Sequence, residues 1–531
     1  MKKLLLILGI LIPVGVIAVL IGLYFSYMHT QRLTPTEVKE VTPDWSKASK
    51  GNWSPWYKDD QGTKTWNPAA SFNAWLTTVP EEDKAWPVMV DLWYANLDFY
   101  QTDGISYFPQ ELHNWDEFAD VMRLDSNREL IDRAADAMTR PVMGAELVDG
   151  TGQTEHDAII RHGLEDQEWN PDQRFDTPAS RISLPALSAH RSLMNIFKSS
   201  ALVALVDGDP DRFVYLMEVS IGSAKLALEY PTMISQLVHM AIIAQTLETI
   251  QWALQYHPDT LDETHLDRLD AAIKDHADPK FIWQGEAVFF HDAFRRIGGP
   301  DGKLSLREQL DYGVGQGLAI EGPAANIPDS QLDASIARPL LVYNRVLSFA
   351  ALNAITPWRN RTTSSYQIYL QQTATMNASS KTMLDIMLPA MNKMSARMRQ
   401  QHNDISATRT AIAVYRYRAV NGDFPEQLDM VQADLTEFPD EFTGLPLLYK
   451  KTNDGPVIYS VGNNLEDEDG QQSPDGNYKW IHPRETKQLL SADPTSIEGD
   501  FVYFPSPPLE KIKSQSDEEL EAWERENYND D

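Results

Sequence analysis

The chain has 531 residues, no cysteine and 14 tryptophans, and its 77 acidic residues outnumber its 46 basic residues to give a formal net charge of −31. This length leaves room for about two or three domains, each with its own hydrophobic core. The acidic balance repels phosphate backbones and anionic lipid surfaces, which argues against nucleic-acid binding. The lack of cysteine excludes disulfides, a cysteine nucleophile and thiolate metal sites.

The first predicted element is a membrane anchor. Two lysines precede an uninterrupted apolar run over residues 4–25, which is long enough as a helix to cross the roughly 30 Å hydrocarbon core of a bilayer. Aromatic residues at its end are typical of a membrane interface. We therefore expect residues 1–28 to form a cytoplasmic stub and a single-pass signal anchor, with the bulk of the chain outside the cytoplasm. A cleaved signal peptide is the alternative.

Residues 29–80 are predicted to be a linker, because they are rich in Pro, Gly and Trp and show no periodicity. We expect its aromatic residues to pin it to the domain that follows. The alternative is that interleaved aromatic and polar residues form a sugar-binding platform. The tryptophans concerned are Trp45, Trp53, Trp56, Trp66 and Trp75.

Residues 81–401 show helical periodicity, and helices of about 16 to 24 residues joined by short turns pack as antiparallel neighbours. We predict an all-α body of stacked helical hairpins. The helix predicted at 231–255 has little polar surface, which predicts deep burial. The other predicted helices are 87–99, 127–138, 184–206, 211–229, 260–276, 280–297, 340–354 and 381–400.

Two helix starts in this body have a recognisable sequence pattern. Asp209 followed by Pro210 is typical of a cap and a first helical position. Thr260 with Glu263 three residues later has the pattern of a capping box.

The predicted helix 381–400 has methionines at helical spacing, which suit either an adaptable partner-binding face or a core, and we favour the core. Pro389 is expected to kink this helix. The methionines are Met383, Met387, Met391, Met394 and Met398.

Residues 402–508 are predicted to form a small α+β domain. Its helix, 404–421, is followed by Gly422, in the position where a helix end needs a left-handed residue. Asn453-Asp454-Gly455 is typical of a hairpin turn. Strands are predicted at 447–451, 457–461 and 499–504, and the acidic tail 509–531 is expected to fray into disorder.

The loop that follows Tyr459-Ser460-Val461-Gly462 is rich in carboxylates, from Glu466 to Asp469. Crowded carboxylates repel one another unless water or a cation neutralises them. A solvated acidic loop and a Ca²⁺ site are both compatible with the loop alone. The spacing does not fit an EF-hand, because Leu465 occupies the position of the first aspartate.

The order of these C-terminal pieces resembles the globular head of the major (G-type) pseudopilins of type II secretion systems. The resemblance covers about a fifth of the chain. In that family, a helix ends in a Tyr-x-x-x-x-Gly-x-Tyr/Phe-Pro pattern before a Gly-x-Pro turn, a Tyr-Ser-x-Gly strand end, an acidic loop and an Asp-Ile/Val strand. The matching pieces here are Tyr417 to Pro425, Gly444-Leu445-Pro446, Tyr459-Ser460-Val461-Gly462 and Asp500-Phe501-Val502.

The resemblance implies a calcium site in the acidic loop. Carried over residue by residue, it gives Asp467, Asp469 and Asp500 as carboxylate ligands, with Asn463 and Asn464 adding oxygens. The N-terminus lacks the family's Gly-Phe-Thr-Leu-x-Glu prepilin peptidase signal, so assembly through the usual stem is not expected.

The helical body joined to such a tail also resembles a recurring group of bacterial membrane-anchored proteins. That resemblance implies a location in the bacterial inner membrane and no particular activity. We found no serine-hydrolase, zinc-protease or P-loop motif in the chain. Glu286, His291 and Asp292 form the most polar group of the body, and we favour satisfied core residues over metal ligands because residues five apart lie on different helix faces.

Two functions from different classes are compatible with these observations. The first is a non-enzymatic, membrane-anchored envelope scaffold that binds other proteins, linked to secretion or pilus-type machinery. The second is an extracytoplasmic hydrolase or carbohydrate-binding protein that uses a cleft in the helical body. The lack of a nucleophile or metal motif favours the first, whereas a pocket of convergent carboxylates around Glu286 would favour the second.

Overall fold

The computed structural model describes part of the chain, and the predicted anchor 4–25, Trp45, Trp53 and the tail 509–531 lie outside that part. Among the described helices, none is both long and apolar enough to cross a bilayer. The described residues are 56–58, 62, 64–95, 107–112, 114–149, 182–230, 232–276, 285–288, 291–292, 340–346, 389–431, 433–462, 464–472 and 499–506.

Helices make up most of the described residues, which confirms the predicted mainly-α class. The helices are α1 (Pro68–Leu76), α2 (Trp86–Ala95), α3 (Trp115–Arg123), α4 (Asp125–Met138), α5 (Pro185–Val206), α6 (Pro210–Ser223), α7 (Met233–Tyr256), α8 (Glu263–His276) and α9 (Pro389–Asn421). The strands are β1 (Trp56–Lys58), β2 (Lys64–Trp66), β3 (Val148–Asp149), β4 (Ile182–Ser183), β5 (Leu448–Thr452), β6 (Gly455–Ser460) and β7 (Phe501–Phe504).

Two short strand pairs correct the prediction of a structureless linker and an all-α body. Strands β1 and β2 pair in antiparallel fashion within the predicted linker, with Trp56 opposite Trp66. Strands β3 and β4 pair within the predicted helical body. Strands of two or three residues are too short to show the alternation that identifies a strand in a sequence.

Tryptophan anchoring of the linker is confirmed at the two positions whose side chains the structure describes. Trp66 is fully buried, and its ring lies 5.4 Å from the ring of His291. Trp75 is half-buried and packs against a hydrophobic cluster that includes Tyr230 of the body. Helix α1 follows directly, capped by Asn67, whose Oδ1 accepts from the Ala70 N–H at 3.0 Å. This part of the linker is therefore ordered by its own short elements.

One of the two predicted helix starts is correct. Asp209 Oδ1 accepts from the Arg212 N–H at 3.1 Å, so Asp209 caps α6 as predicted. The predicted capping box at Thr260 is wrong, because α8 begins only at Glu263. Asp262 Oδ1 accepts from the His265 N–H at 3.0 Å, and Asp262 therefore takes the capping role. The N–H of Thr260 instead closes a turn onto the carbonyl of His257.

Helix α7 is less deeply buried than its composition predicts. Its sides pack against α5, α6 and α9, and residues such as Ile250 are fully buried. Ile234 and Leu237, however, are 62% and 42% exposed. Apolar residues occur on every side of α7, whereas the described neighbouring helices cover only some of its sides. One apolar stripe of the helix therefore remains exposed.

Helix α9 replaces the two helices predicted around residue 402. It runs without interruption from Pro389 to Asn421, because residues 401–403 include neither Gly nor Pro to break it. The kink expected at Pro389 concerns residues 381–388, which lie outside the described residues. Met398 is 2% exposed, which supports core packing at that position.

The predicted hairpin is present as the antiparallel pair β5 and β6, and β7 pairs with β6 to give the sheet order β5-β6-β7. Gly422 ends α9 with φ +79°, the left-handed conformation that its position required. Helix α9 packs on β6 and β7 of the head and on α7 and α8 of the body. Ile412 of α9 and Ile458 of β6 belong to the same hydrophobic cluster as the body residues Phe213 and Ile250. We call residues 402–506 the head, and it shares one core with the body.

Candidate functional site

The acidic loop is shaped by residues with left-handed backbone. At Gly462, φ is +65° and a Cβ atom would lie 2.8 Å from the ring of Phe501, so only glycine fits there. Leu465 and Asp469 both have φ +60°, a conformation that costs about 1–2 kcal/mol in a residue other than glycine. These residues fold the loop back towards β7, where Asp500 donates its N–H to the Gln471 carbonyl at 2.9 Å.

Asp500 and Glu468 form the centre of this site. Asp500 is fully buried, and its Oδ2 accepts from the Gly470 N–H at 2.7 Å. Glu468 Oε1 accepts from the Asn464 side-chain amide at 2.7 Å, and its carboxylate lies within hydrogen-bonding reach of Asp500. Asp500 Oδ1 and Glu468 Oε2 are both buried without a hydrogen-bond partner. A shared proton, a bound water molecule or a cation would each satisfy these two oxygens.

The electrostatics of this pair follow from that geometry. Burial raises the pKa of Asp500 to about 6, against the opposing effect of the Gly470 and Glu468 backbone amides, and the neighbouring Glu468 carboxylate raises it further. Burial also raises the pKa of the Tyr459 hydroxyl, with the acidic charges around it as a second cause. Within this site it is therefore the Asp500 carboxylate whose negative charge is shielded from water.

Of the other predicted ligands, Asn464 contacts Glu468, whereas Asp467 and Asp469 make contacts with other residues. Asp467 is exposed, and its Oδ1 accepts from the Tyr459 hydroxyl at 3.2 Å and from the Asp469 N–H at 2.9 Å. Asp469 is exposed and forms an ion pair with Lys450. Asn464 Oδ1 accepts from the Glu466 N–H at 3.1 Å. Asn463 lies outside the described residues.

The structure thus brings Asp500 and Asn464 of the predicted set together with Glu468, which the sequence did not select. Within the described part of the chain, no group of three or more His, Asp or Glu side chains is arranged to hold a metal ion. Calcium takes about six to eight oxygen ligands, including backbone carbonyls and water. Asp500 and Glu468 could supply the carboxylate ligands among these oxygens. A cation would lie next to Asp500 Oδ1 and Glu468 Oε2.

The polar group predicted in the helical body is buried. Glu286 is 7% exposed, and its Oε2 accepts from the N–H of Met233, the first residue of α7, at 2.7 Å. Burial raises its pKa to about 7. His291 and Asp292 are fully buried. A carboxylate at a helix N-terminus is a stabilising arrangement, so the geometry of Glu286 agrees with a core role.

Glu229 is a second acid of the body whose side chain accepts hydrogen bonds from the backbone. Glu229 accepts from the Met143 N–H at 2.5 Å and from the Gly144 N–H at 3.1 Å. Burial raises its pKa to about 7, while the Gly144 and Met143 amides and Lys84 oppose that shift. Glu229 thereby ties the loop after α4 to the end of α6 and its 3₁₀ extension.

Comparison of the chain with protein-family models, with curated proteins and with solved structures gives no match.

Proposed function

We propose that the chain is a membrane-anchored, extracytoplasmic scaffold of the bacterial cell envelope that binds other proteins through its pseudopilin-like head. The observation that carries this proposal is the continuous helix α9, which belongs both to the body and to the head. A head built on the same rigid helix as the body is presented in one fixed orientation, which suits a scaffold better than a head on a flexible linker.

Side-chain contacts along α9 support this fixed presentation. Arg409 is 5% exposed, and it pairs with Asp270 of α8 at 2.7 Å and with Glu437 of the head at 3.4 Å. Asn403 accepts from the Glu441 N–H at 2.8 Å and donates to the Tyr503 hydroxyl at 2.8 Å. Buried polar contacts of this kind resist separation, because each leaves an unsatisfied group when it is broken.

Binding through the head is testable by photo-crosslinking in cells. A photoreactive residue at Leu445 or Leu465, which are 55% and 45% exposed, samples the head surface. The matched control is the same residue at Tyr256 of the body, which is 38% exposed. We expect crosslinks to secretion or pilus-type components from the head positions and none from Tyr256. Crosslinks to no protein, or the same products from head and body, would contradict the proposal.

The calcium part of the proposal rests on Asp500 and Glu468. A bound Ca²⁺ would neutralise both carboxylates and connect the acidic loop to β7, so the role assigned to it is structural. The residues that would hold it are Asp500, Glu468 and neighbouring backbone carbonyls of the loop.

Thermal melting of the full-length protein in detergent tests this role. Calcium is expected to raise the melting temperature at pH 7.5 and EDTA to lower it. The calcium effect should disappear below about pH 5, because protonated carboxylates do not bind the ion. A shared proton in place of calcium predicts no calcium response at either pH. Since the scaffold test uses crosslinking, the two parts can fail independently.

A further inference from the structure

A cavity of about 440 Å³ lies between helices α5, α7 and α9, far along the chain from the acidic loop. Its volume is within the range of about 300–1,000 Å³ that is usual for small-molecule sites. Helix α7 contributes one wall, α9 a second, and Lys198 of α5 the third. No part of the proposed scaffold role uses this cavity.

The wall formed by α7 is largely apolar. It includes part of the stripe that leaves this helix incompletely buried, with Leu237 42% exposed. An uncovered apolar strip is unfavourable in water and gains free energy when a ligand covers it. The apolar lining residues are Leu237, Met240, Ala241, Ala244 and Leu247.

Charged side chains of both signs surround this apolar wall. Lys198 is 5% exposed, with its ammonium 3.7 Å from the centre of the Phe108 ring, and Arg397 lies on α9. Glu248 and Asp404 bring carboxylates to the same cavity. The lining therefore has two cationic and two anionic side chains, and it matches a ligand that carries both charges.

Four glutamines complete the lining, each with a carboxamide that both donates and accepts hydrogen bonds. Three of them are positioned by contacts with neighbouring helices. Gln245 donates to Asn195 Oδ1 at 2.7 Å, Gln251 donates to Thr408 Oγ1 at 2.8 Å, and Gln401 donates to the Met240 carbonyl at 3.5 Å. The fourth, Gln400, accepts from Arg397 at 3.1 Å.

From this lining we propose that the cavity binds a short zwitterionic peptide of about two or three residues. Carboxamides suit the alternating donors and acceptors of a peptide backbone, the two kinds of charge suit its termini, and the α7 stripe suits an apolar side chain. None of the lining residues that the structure describes is aromatic, which disfavours a sugar, since sugar sites stack their ligands on aromatic rings.

Calorimetric titration of the full-length protein in detergent with the tripeptide Ala-Leu-Ala tests this proposal. We expect saturable binding with a dissociation constant in the micromolar range, and at least tenfold weaker binding of the same peptide acetylated at its N-terminus and amidated at its C-terminus. Ala244→Trp should abolish binding by filling the cavity, since Ala244 is an exposed lining residue. Ala271→Trp on the exposed face of α8 is the matched control and should bind normally.

Glu248→Gln provides a second variant that does not change side-chain size, and it should weaken binding at least tenfold by removing a partner of the peptide ammonium. The proposal is overturned if Ala-Leu-Ala does not bind, if capping its termini leaves the affinity unchanged, or if Ala244→Trp binds as tightly as Ala271→Trp. Binding of maltotriose that Ala244→Trp abolishes would assign the cavity to a sugar instead.

Discussion

In the helical body, the buried carboxylate of Glu286 accepts a hydrogen bond from the first N–H of α7, whereas in the head the buried Asp500 lies beside the half-buried Glu468. Glu229 of the body likewise accepts from the backbone N–H groups of Met143 and Gly144. The head pair leaves two oxygens, Asp500 Oδ1 and Glu468 Oε2, without a donor. The same side-chain chemistry is thus locally compensated in one region and left uncompensated in the other.

This difference separates two consequences of burying an acid. A buried carboxylate with its own donor makes stability depend on pH, because burial favours the neutral form. A pair of neighbouring carboxylates in which one oxygen of each lacks a donor makes stability depend on pH and, where a cation binds, on that cation as well. The following variants alter one carboxylate at a time and so measure how far this distinction holds.

The largest effect is expected for Glu286→Gln. Its pKa is raised from 4.5 to about 7 in the folded protein, so its contribution to stability is full below pH 4.5 and is lost as the pH rises to about 7. Glutamine keeps an oxygen for the Met233 N–H and cannot ionise. We expect the free energy of unfolding, measured by urea denaturation, to rise by about 3 kcal/mol at pH 8 and to stay unchanged at pH 4.

The control for this variant is Glu263→Gln, an exposed position in the first turn of α8. It should change the free energy of unfolding little at either pH. An equal gain from Glu286→Gln at pH 4 and pH 8 would show that charge burial is not the cause.

Asp500→Asn is expected to have the next largest effect, and it also tests the cation. In EDTA at pH 7.5 the variant should be more stable than the natural protein by about 2 kcal/mol, because it removes a buried like charge while keeping an acceptor for the Gly470 N–H. Its melting temperature should not respond to calcium. A variant that still responds to calcium as the natural protein does would remove Asp500 from the site.

A smaller gain is expected for Glu229→Gln, although burial raises the pKa of Glu229 to the same value of about 7. Both carboxylate oxygens of Glu229 accept from backbone N–H groups of Met143 and Gly144. The carboxamide of glutamine has one acceptor oxygen, so its NH₂ group faces a backbone N–H that the second carboxylate oxygen had accepted from. This unfavourable contact offsets part of the gain in the free energy of unfolding. We expect about 1 kcal/mol at pH 8 in urea denaturation. A gain as large as that of Glu286→Gln would mean that the second acceptor contributes little.

The sequence predicts the structure well where a local backbone preference determines the conformation and poorly where it does not. The end of α9 at Gly422 and the turn Asn453-Asp454-Gly455 are set by the local backbone preferences of glycine and asparagine, and they were predicted correctly. The orientation of the acidic side chains depends on left-handed backbone at Leu465 and Asp469. The presence of leucine and aspartate at these positions does not indicate a left-handed backbone. The inward position of Glu468 was therefore not predictable from the sequence.

In the body, most helix positions followed from periodicity, although α3 was not predicted. Contacts between distant segments did not follow from it. The cavity depends on how α5, α7 and α9 are spaced, and its residues Lys198, Glu248 and Arg397 are far apart in sequence. The Gln251–Thr408 hydrogen bond joins two of these helices across the chain. Such placement is a property of tertiary packing, which no local pattern encodes.

The smallest effects are expected for Asp467→Asn and Asp469→Asn. These variants compare the exposed carboxylates of the loop with the buried Asp500. Asp469 pairs with Lys450 at an exposed position, and such pairs contribute at most about 1 kcal/mol. Urea denaturation in EDTA should change by less than about 0.5 kcal/mol for either variant, and the calcium-dependent rise in melting temperature should persist. If Asp469→Asn lost the calcium response while Asp500→Asn kept it, the ion would bind to the outward carboxylates that the pseudopilin resemblance implies. Asp500 and Glu468 would then share a proton, whereas Glu286 and Glu229 of the body accept hydrogen bonds from backbone N–H groups.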